Sequence, residues 1–280
     1  MRLRVVTLNV WNRQGDPKRT GLINLELRRL APDLVSFQEV VKTPDHSQLD
    51  ELIHDTGLHG THQADVLRTV PPHADRFGGS AIATRWPHRV EEVLDLRMSD
   101  ANDVPWCSLA VTVPLPGEGD LLFIAATTSW RLCAESARER QVVALTDLDA
   151  RHRQPLPTII AGDFNATPDA ASIRYLTGLQ SLGGRSVKYH DAWEVAGEGQ
   201  GYTWSIDNPN AQSEIGRIVR QPRHQRRVDY VFVGSWDVHP NASCEVQAAS
   251  LAFDLAVDGI WPSDHFGVVA DLEISAAPSA

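Results

Sequence analysis

The chain has 280 residues, of which 42% are hydrophobic and 22% are charged, and its formal net charge is -10. This composition is typical of a globular protein with a sizeable core, and it excludes a fibrous or low-complexity chain. The acidic excess argues against a protein that grips polyanions over its whole surface, although it leaves room for a local basic track. Because no Pro/Gly/Ser-rich stretch divides the chain, we expect one domain over residues 1–275 and a short tail, 276–280.

The cysteines and the N-terminal residues indicate a reducing compartment. Cys107, Cys133 and Cys244 are widely spaced and odd in number, which fits neither a disulfide framework nor a zinc site. Met1 leads directly into a strand pattern, and no apolar run reaches the roughly 18 residues that a membrane span needs. We therefore expect a cytoplasmic protein, and the sequence indicates no obligate protein partner.

The first part of the chain predicts alternating strands and helices. Apolar patterning predicts strands over residues 3–10 and 34–39, and helices over 19–30 and 47–56. Asn9 and Glu39 lie near the ends of the two strands. Turn formation and solvent exposure are their ordinary roles, but a strand-end Glu within reach of Asn9 would be a hard oxygen ligand for Mg²⁺.

The middle of the chain predicts a run of strands and one long helix. We expect strands over 62–68, 78–84, 89–96, 106–113 and 121–126, a loop over 69–77, and a helix over 135–151. His59 and His62 lack further ligands at metal-site spacing and are interpreted as surface histidines. Arg138 and Gln141 share one face of the helix, where they either brace a site or are solvated.

The stretch Gly162-Asp163-Phe164-Asn165 follows an apolar strand over residues 158–161. Residues two apart in an extended chain share a face, so Asp163 and Asn165 point the same way while Phe164 turns into the core. A carboxylate can orient or deprotonate water, and a carboxamide can donate to a phosphate oxygen. Gly162 marks a place where the backbone needs freedom or where a ligand comes close.

The last third carries the one concentrated basic run and two further polar strand ends. Arg217, Arg220, Arg223, Arg226 and Arg227 either gather an anionic substrate or belong to a solvated loop. Asp229 lies near the start of a strand over 228–233, and Asp264 and His265 precede the closing strand over 266–274. Four carboxylates crowded at strand ends would repel one another unless a divalent cation lowered the cost.

Five motifs in chain order carry a resemblance to a known family. They are Thr7-Leu8-Asn9-Val10, Phe37-Gln38-Glu39, Gly162-Asp163-Phe164-Asn165, Arg227-Val228-Asp229-Tyr230 and Ser263-Asp264-His265. In this order they resemble the endonuclease/exonuclease/phosphatase superfamily, which includes the DNase I-like nucleases. The resemblance implies an α/β fold, a four-layered sandwich of two packed mixed sheets flanked by helices. It also implies hydrolysis of a phosphoester with Mg²⁺, or with Mn²⁺ in its place.

The resemblance also implies a role for each polar residue. Glu39 would ligate the metal, with Asn9 and Asp264 near the same ion, Asp163 would position or deprotonate the attacking water, and Asn165 would hold a phosphate oxygen. His265, oriented by Asp229, would hydrogen-bond the scissile phosphate. A carboxylate partner fixes the imidazole tautomer and favours its charged form, so this last pairing also follows from chemistry.

One segment departs from the family pattern. Many members carry Thr-His-Leu where this chain has Thr127-Thr128-Ser129, so Thr127 or Thr128 occupies the place of that His. A hydroxyl can donate to phosphate but cannot serve as an acid near neutral pH. We expect Thr127, Thr128 and Arg227 to contact the substrate.

Three functions remain open at this point. The first is a metal-dependent phosphodiesterase or nuclease, for which a nucleic acid is one candidate partner and which the arginine run favours. The second is a phosphomonoesterase acting on a small metabolite or a lipid headgroup, which the acidic net charge favours. The third is a binding module on a lapsed hydrolase, which the missing His suggests.

Overall fold

The computed structural model describes residues 1–67, 78–97 and 107–276, and two six-stranded mixed sheets dominate it. The predicted loop over 69–77 lies outside these residues. One cluster of buried apolar side chains lies between the two sheets, a second lies between one sheet and the long helix, and a third lies between the other sheet and the first helix. The predicted four-layered α/β sandwich is therefore confirmed.

Each sheet combines parallel and antiparallel neighbours. The first sheet has the order β15-β16-β1-β2-β6-β5 and the second has the order β11-β14-β10-β9-β8-β7. The strands of the first sheet are β1 Arg2–Asn9, β2 Leu34–Val40, β5 His59–His62, β6 Gly79–Thr84, β15 Ala242–Ala252 and β16 Gly267–Ala276. The strands of the second sheet are β7 Arg89–Asp95, β8 Cys107–Leu115, β9 Gly119–Thr127, β10 Ile159–Asp163, β11 Tyr189–Asp191 and β14 Asp229–Gly234.

Two short ladders and the helices complete the described fold. The ladders pair β3 Lys42–Thr43 with β4 His46–Ser47, and β12 Trp204–Ser205 with β13 Gln225–Arg226. The helices are α1 Arg19–Leu30, α2 Gln48–Leu52, α3 Gln63–Val66, α4 Glu135–His152, α5 Ala171–Leu176, α6 Ala192–Ala196 and α7 Pro209–Glu214, and a π-helix spans Ile215–Val219. Among the described residues, no helix is both long and apolar enough to span a membrane.

Strand alternation determines where the polar strand ends lie. In β1, Leu3 and Val5 pack between the sheets while Val6 and Leu8 pack against the helices, so the odd-numbered side shared by Asn9 faces the partner sheet. The same alternation in β10 and β14 puts Asp163 and Asp229 on their inner faces, and these two residues pair directly across the ladder. The inner faces of the two sheets thus end in polar groups that lie opposite one another.

Glu39 reaches the same place through an irregularity. The register between β2 and β6 shifts between Phe37 and Val40, and Glu39 has a left-handed backbone with φ of 61°. Gly78 permits this bulge, since a Cβ there would lie 2.4 Å from the carbonyl carbon of Glu39. The bulge turns Glu39 out of the alternation that an undistorted strand would impose.

Gly162 lies in close contact with a neighbouring strand. A Cβ at this position would lie 1.8 Å from the main-chain oxygen of Ala126 on the parallel neighbour β9. The close approach comes from a neighbouring strand, so Gly162 serves packing and does not mark a ligand.

Several sequence predictions are corrected here. A strand was predicted over residues 62–68, but the strand β5 ends at His62 and the chain continues as the helix α3. His62 caps that helix and is 1% exposed. Its Nδ1 accepts from the Ala64 amide, and its Nε2 contacts the Val40 carbonyl at 2.9 Å, so it is no surface histidine. The strand β15 was not predicted, because the exposed polar residues of this edge strand give its sequence no clear alternation.

Candidate active site

A cavity of about 320 Å³ lies where the inner faces of the two sheets end. Six of the seven predicted polar residues line it, and the seventh, Asp229, lies directly behind His265. We call four buried residues of the lining the cavity floor: Asn9, Asp163, Asp264 and His265, which are 2% to 6% exposed. The predicted convergence of distant strand ends is therefore present.

His265 and Asp229 form a buried pair. The imidazole Nδ1 lies 2.9 Å from Asp229 Oδ2. Thr203 Oγ1 accepts from the main-chain amides of Val228 and Asp229, which fixes the start of β14. Burial opposes protonation of His265, but the adjacent carboxylate outweighs it, and the pKa of His265 is raised well above its ordinary value. Since Asp229 takes Nδ1, Nε2 is the ring nitrogen left for the cavity.

Asn9 joins the two sheets at the floor. Its Nδ2 donates to Glu39 Oε1 and to Asp163 Oδ2, each at 3.2 Å. Its Oδ1 accepts from the Trp11 amide at 2.9 Å, and its main-chain oxygen accepts from Ser263 Oγ at 2.6 Å. Asn9 thus holds two carboxylates in place by donation, whereas its own amide oxygen is used by the backbone of the next turn.

Asn12 is a cavity residue that sequence reasoning missed. Its Nδ2 donates to Glu39 Oε2 at 2.9 Å, so Glu39 accepts one hydrogen bond on each carboxylate oxygen. Asn12 has a left-handed backbone with φ of 39°, a conformation that Asn tolerates better than most residues. The sequence signal was an Asn just past a strand end, which is equally typical of a simple turn.

The carboxylates of the cavity disfavour one another. Burial raises the pKa values of Glu39, Asp163 and Asp264 to about 7. Like charges add to this effect, from Asp163 on Glu39, from Asp229 on Asp163, and from Glu39 on Asp264. A cation in the cavity would favour the charged forms of all of them.

The residues present fit a hard divalent cation. One oxygen each from Asp163 and Asp229 and a nitrogen of His265 lie within 4.8 Å of one another, and Asp229 Oδ1 is buried with no hydrogen-bond partner. Glu39 and Asp264 add two further carboxylates to the same cavity. Carboxylate oxygens are the donors that Mg²⁺ and Mn²⁺ prefer, and no cysteine competes among the lining residues.

Three residues that were expected to contact the substrate are not among the residues that line the cavity, although Thr127 and Thr128 lie beside Asp163 and Asn165. Thr127 is 1% exposed with its hydroxyl 3.5 Å from Ser80 Oγ, and the Thr128 hydroxyl donates to the main-chain oxygen of Phe164. Arg227 is buried, pairs with Asp191 at 2.6 Å, and stacks over Tyr230. Their polar groups are used within the fold, so we no longer assign them a substrate contact.

Arg226 takes the place expected for Arg227. Consecutive residues of extended chain point to opposite sides, so the burial of Arg227 turns Arg226 toward the cavity, which it lines. Its Nη2 donates to the main-chain oxygen of Asn165 at 3.1 Å. Within the basic run, the sequence alone could not distinguish the two neighbours because only the register of β13 decides which one faces inward.

Aromatic and aliphatic side chains form one part of the cavity wall, namely Trp11, Trp130, Leu132, Trp204, Ile218 and Val228, and Gln14, Glu214 and Arg217 complete it. The long helix α4 braces the segment that carries two of them. Arg138 donates to the main-chain oxygens of Ser129 and Arg131, and Gln141 accepts from the Ser129 amide. Of the two interpretations of Arg138 and Gln141, the bracing one is confirmed, since both are only 3% exposed.

Comparison with known proteins gives one family match and several structural relatives. The model of the Endonuclease/Exonuclease/phosphatase family matches residues 6–265. The structure of D. rerio TDP2 humanized by 14 mutations superimposes with a TM-score of 0.71 at 18% identity, covering 97% of this chain and 99% of that chain. D. rerio TDP2 in complex with a single strand DNA product gives 0.68 at 17% identity, with coverage of 97% and 99%.

A further solved structure resembles this chain with a comparable TM-score. The endonuclease/exonuclease/phosphatase from Beutenbergia cavernae DSM 12333 superimposes with a TM-score of 0.65 at 22% identity, covering all of this chain and 73% of that chain. No curated protein matches this sequence. At these identities the solved structures bear on the fold alone, whereas the family model spans nearly the whole sequence. The chain therefore belongs to the endonuclease/exonuclease/phosphatase family.

Proposed function

We propose that this chain is a divalent-metal-dependent phosphoester hydrolase that cleaves phosphodiesters, as a phosphodiesterase or a nuclease. The observation that carries the proposal is the single cavity shared by Asp163, Asn165 and the His265–Asp229 pair. Family membership supports phosphoester hydrolysis. The DNA product bound to D. rerio TDP2 supports a diester substrate by analogy.

Three residues of the cavity lining act on the water or the phosphate in this proposal. Asp163 accepts the proton of the attacking water and orients it, and Asn165 steadies a phosphate oxygen. The main-chain amide of Asn165 donates to Asp163 Oδ1 at 2.9 Å, which fixes the orientation of that carboxylate. His265, kept protonated by Asp229, donates from Nε2 to the phosphate and stabilises the charge that develops on it.

Glu39 and Asp264 would hold the cation, with Mg²⁺ as the first choice and Mn²⁺ as the second. When bound, such an ion neutralises the phosphate and stabilises the leaving oxygen as a Lewis acid. Asn9 and Asn12 hold Glu39 in position for it. A cytoplasmic location remains a prediction that rests on the three free cysteines.

A phosphomonoesterase is the second candidate, and the size of the cavity favours it. A volume of about 320 Å³ lies at the small end of ligand sites, which suits a compact phosphorylated molecule. The apolar wall favours an organic group beside the phosphate in either case.

Hydrolysis of three substrates tests the proposal. Purified protein with Mg²⁺ or Mn²⁺ is assayed on bis-p-nitrophenyl phosphate, p-nitrophenyl phosphate and plasmid DNA, beside Asp163→Asn, which keeps the shape of the side chain but cannot accept the proton. We expect diester cleavage and a fall of kcat of about 10²- to 10⁴-fold in the variant. Faster cleavage of the monoester would identify a phosphatase. Equal rates for wild type and variant would leave only a binding module on this fold.

A further inference from the structure

Arg226 differs from Arg217, the other arginine that lines the cavity, and from its neighbour Arg227 in having no carboxylate partner among the described residues. Arg217 pairs with Glu214 and Arg227 pairs with Asp191. Arg226 is half-buried, yet it forms no ion pair with any residue that the structure describes, and its side chain donates only to the main-chain oxygen of Asn165. Most of its five N–H donors therefore remain for a ligand.

Partial burial of a cation without a counterion costs free energy, and burial lowers the pKa of Arg226. Nearly all other buried polar side chains around the cavity have a partner within the fold. The missing partner of Arg226 is thus most simply supplied by an anion in the cavity that it lines.

The position of Arg226 differs from that of the cavity floor. The floor residues lie at or beside the ends of the two large sheets, whereas Arg226 belongs to the small β12–β13 ladder, where Trp204 is its direct cross-strand partner. Directly opposed residues on antiparallel strands present their side chains on one face, and both of these line the cavity. Arg226 is also more exposed than any floor residue, which places it higher on the wall, on the Asn165 side.

We propose that Arg226 and Trp204 form a second anion subsite, which binds a second phosphate of the substrate beside the phosphate at the cavity floor. The location of the first phosphate rests on the proposed function. The planar guanidinium suits bidentate contact with phosphate, and the Trp204 ring packs against the organic group that links the two phosphates. The substrate class is then an organic bisphosphate or a short stretch of phosphodiester backbone.

Binding measurements with matched ligands test this subsite independently of catalysis. Affinities for thymidine 5′-monophosphate and thymidine 3′,5′-bisphosphate are measured by tryptophan fluorescence in Mg²⁺ buffer, with released phosphate assayed to confirm that the ligands stay intact. The variants are Arg226→Gln, Arg226→Lys and, as the control, Arg223→Gln. Arg223 lies in the same basic run, is exposed, and does not line the cavity, so its loss changes the net charge equally.

We expect the wild type to bind the bisphosphate at least about tenfold more tightly than the monophosphate. Arg226→Gln should bring this ratio close to one while affinity for the monophosphate changes little. Arg226→Lys should keep part of the ratio, and Arg223→Gln should keep all of it. A wild-type ratio near one, an unchanged ratio in Arg226→Gln, or an equal loss for both ligands would each overturn the proposal, the last because Arg226 would then hold the shared phosphate.

A second pair of ligands distinguishes the two sources of the second phosphate. Propane-1,3-diol monophosphate and bisphosphate carry the same groups without a nucleoside. A similar ratio for this pair would support a small phosphorylated metabolite, and a ratio seen only with the thymidine pair would support a nucleic acid backbone. Since the ratio is measured without turnover, an inactive protein that shows it would refute the proposed hydrolysis and still support the subsite.

Discussion

Arg19 lies beneath the cavity, at the first residue of α1, and is only 3% exposed. Its guanidinium donates five hydrogen bonds, all to main-chain oxygens: those of Val10, Trp11, Asn12, Gln14 and Pro262. Four of these acceptors belong to the turn that carries Trp11 and Asn12, and the fifth comes just before Asp264. One side chain thus ties together two segments that contribute cavity residues, and it stacks on Trp11 as well.

Replacing Arg19 should lower the free energy of unfolding and weaken the link between the two segments that contribute cavity residues. Arg19→Lys keeps the charge but offers three donors from a single point, so at least two of the five carbonyls lose their partner. We expect the free energy of unfolding to fall by about 1–3 kcal/mol, and further in Arg19→Ala. Urea unfolding measures both variants.

Arg29→Lys is the matched control for this prediction. Arg29 lies on the same helix, is exposed, and pairs with Glu26. A surface exchange of this kind should change the stability by less than about 0.5 kcal/mol. Equal losses in Arg19→Lys and Arg29→Lys would show that the five hydrogen bonds contribute little.

At the scale of elements, one histidine fixes the start of the central strand β10. His239 Nε2 accepts from the Thr158 amide at 3.1 Å, which requires the neutral ring, and the side chain is 3% exposed. Burial lowers the pKa of His239 to about 4. Below its ordinary pKa of about 6.5 the unfolded chain therefore binds a proton that the folded chain does not.

The contribution of His239 to the free energy of unfolding should accordingly fall as the pH is lowered from about 6.5 toward 4, whereas the raised pKa values of Glu39, Asp163 and Asp264 act in the opposite direction. His239 contributes at most about 1.4 kcal/mol per pH unit to the slope. His239→Gln keeps an acceptor for the Thr158 amide but does not titrate, so the free energy of unfolding of the wild type minus that of the variant should fall as the pH is lowered through this range. Burial also lowers the pKa values of His62 and His88, but their contributions are present in both proteins and cancel in this difference. Identical slopes for wild type and variant between pH 4 and 6.5 would contradict this account.

The same elements explain how far the sequence could predict the cavity. Asn9, Asp163 and His265 follow or precede clear apolar strands, and a period of two is enough to put strand-end residues on the inner faces of the sheets. Asn12 was not predicted, and Arg226 was named only as one of five arginines, because their directions depend on a left-handed turn and on the register of a two-residue ladder. Neither feature leaves a periodic pattern in the sequence.

Glu39 lies within reach of Asn9 as predicted, but its direction could not be deduced from the alternation of β2. A regular strand would have pointed Gln38, and not Glu39, into the space between the sheets, since Phe37 packs on the helix side. Gln38 does lie between the sheets, and the bulge at Glu39 turns Glu39 to the cavity as well. Gly78, which permits the bulge by its close approach, comes from a segment more than 35 residues further along the chain. Such a long-range contact cannot be deduced from local propensity.

On the scale of the whole molecule, both sheets end at the cavity in carboxylates that repel one another. Three carboxylates, those of Glu39, Asp163 and Asp264, have pKa values raised to about 7 by burial and by their mutual repulsion. Above pH 7 their charged forms oppose folding, because the unfolded chain holds the same charges in water. Stability is in this way given up for an arrangement of carboxylates that spans both sheets and that we propose binds a cation.

Removing one of these charges should therefore stabilise the protein when no metal is present. Glu39→Gln removes the charge and keeps one of the two acceptor oxygens, so it retains the hydrogen bond from either Asn9 or Asn12 and loses the other. In buffer with a chelator at pH 8, we expect its free energy of unfolding to exceed that of the wild type by about 1–3 kcal/mol. At pH 5 the difference should shrink, since Glu39 is then largely protonated in the folded wild type.

Adding Mg²⁺ should reverse the order of the two proteins at pH 8. A ligand that binds only the folded state stabilises it by about 2.7 kcal/mol at 100 times its Kd, so the wild type should gain and Glu39→Gln should gain far less. Thermal unfolding of both proteins with chelator and with Mg²⁺ measures this. Glu26→Gln is the control, because Glu26 belongs to α1, does not line the cavity and pairs with the exposed Arg29. An equal shift of Tm by Mg²⁺ in wild type and Glu39→Gln would mean that the ion binds elsewhere and that the two sheets do not share it.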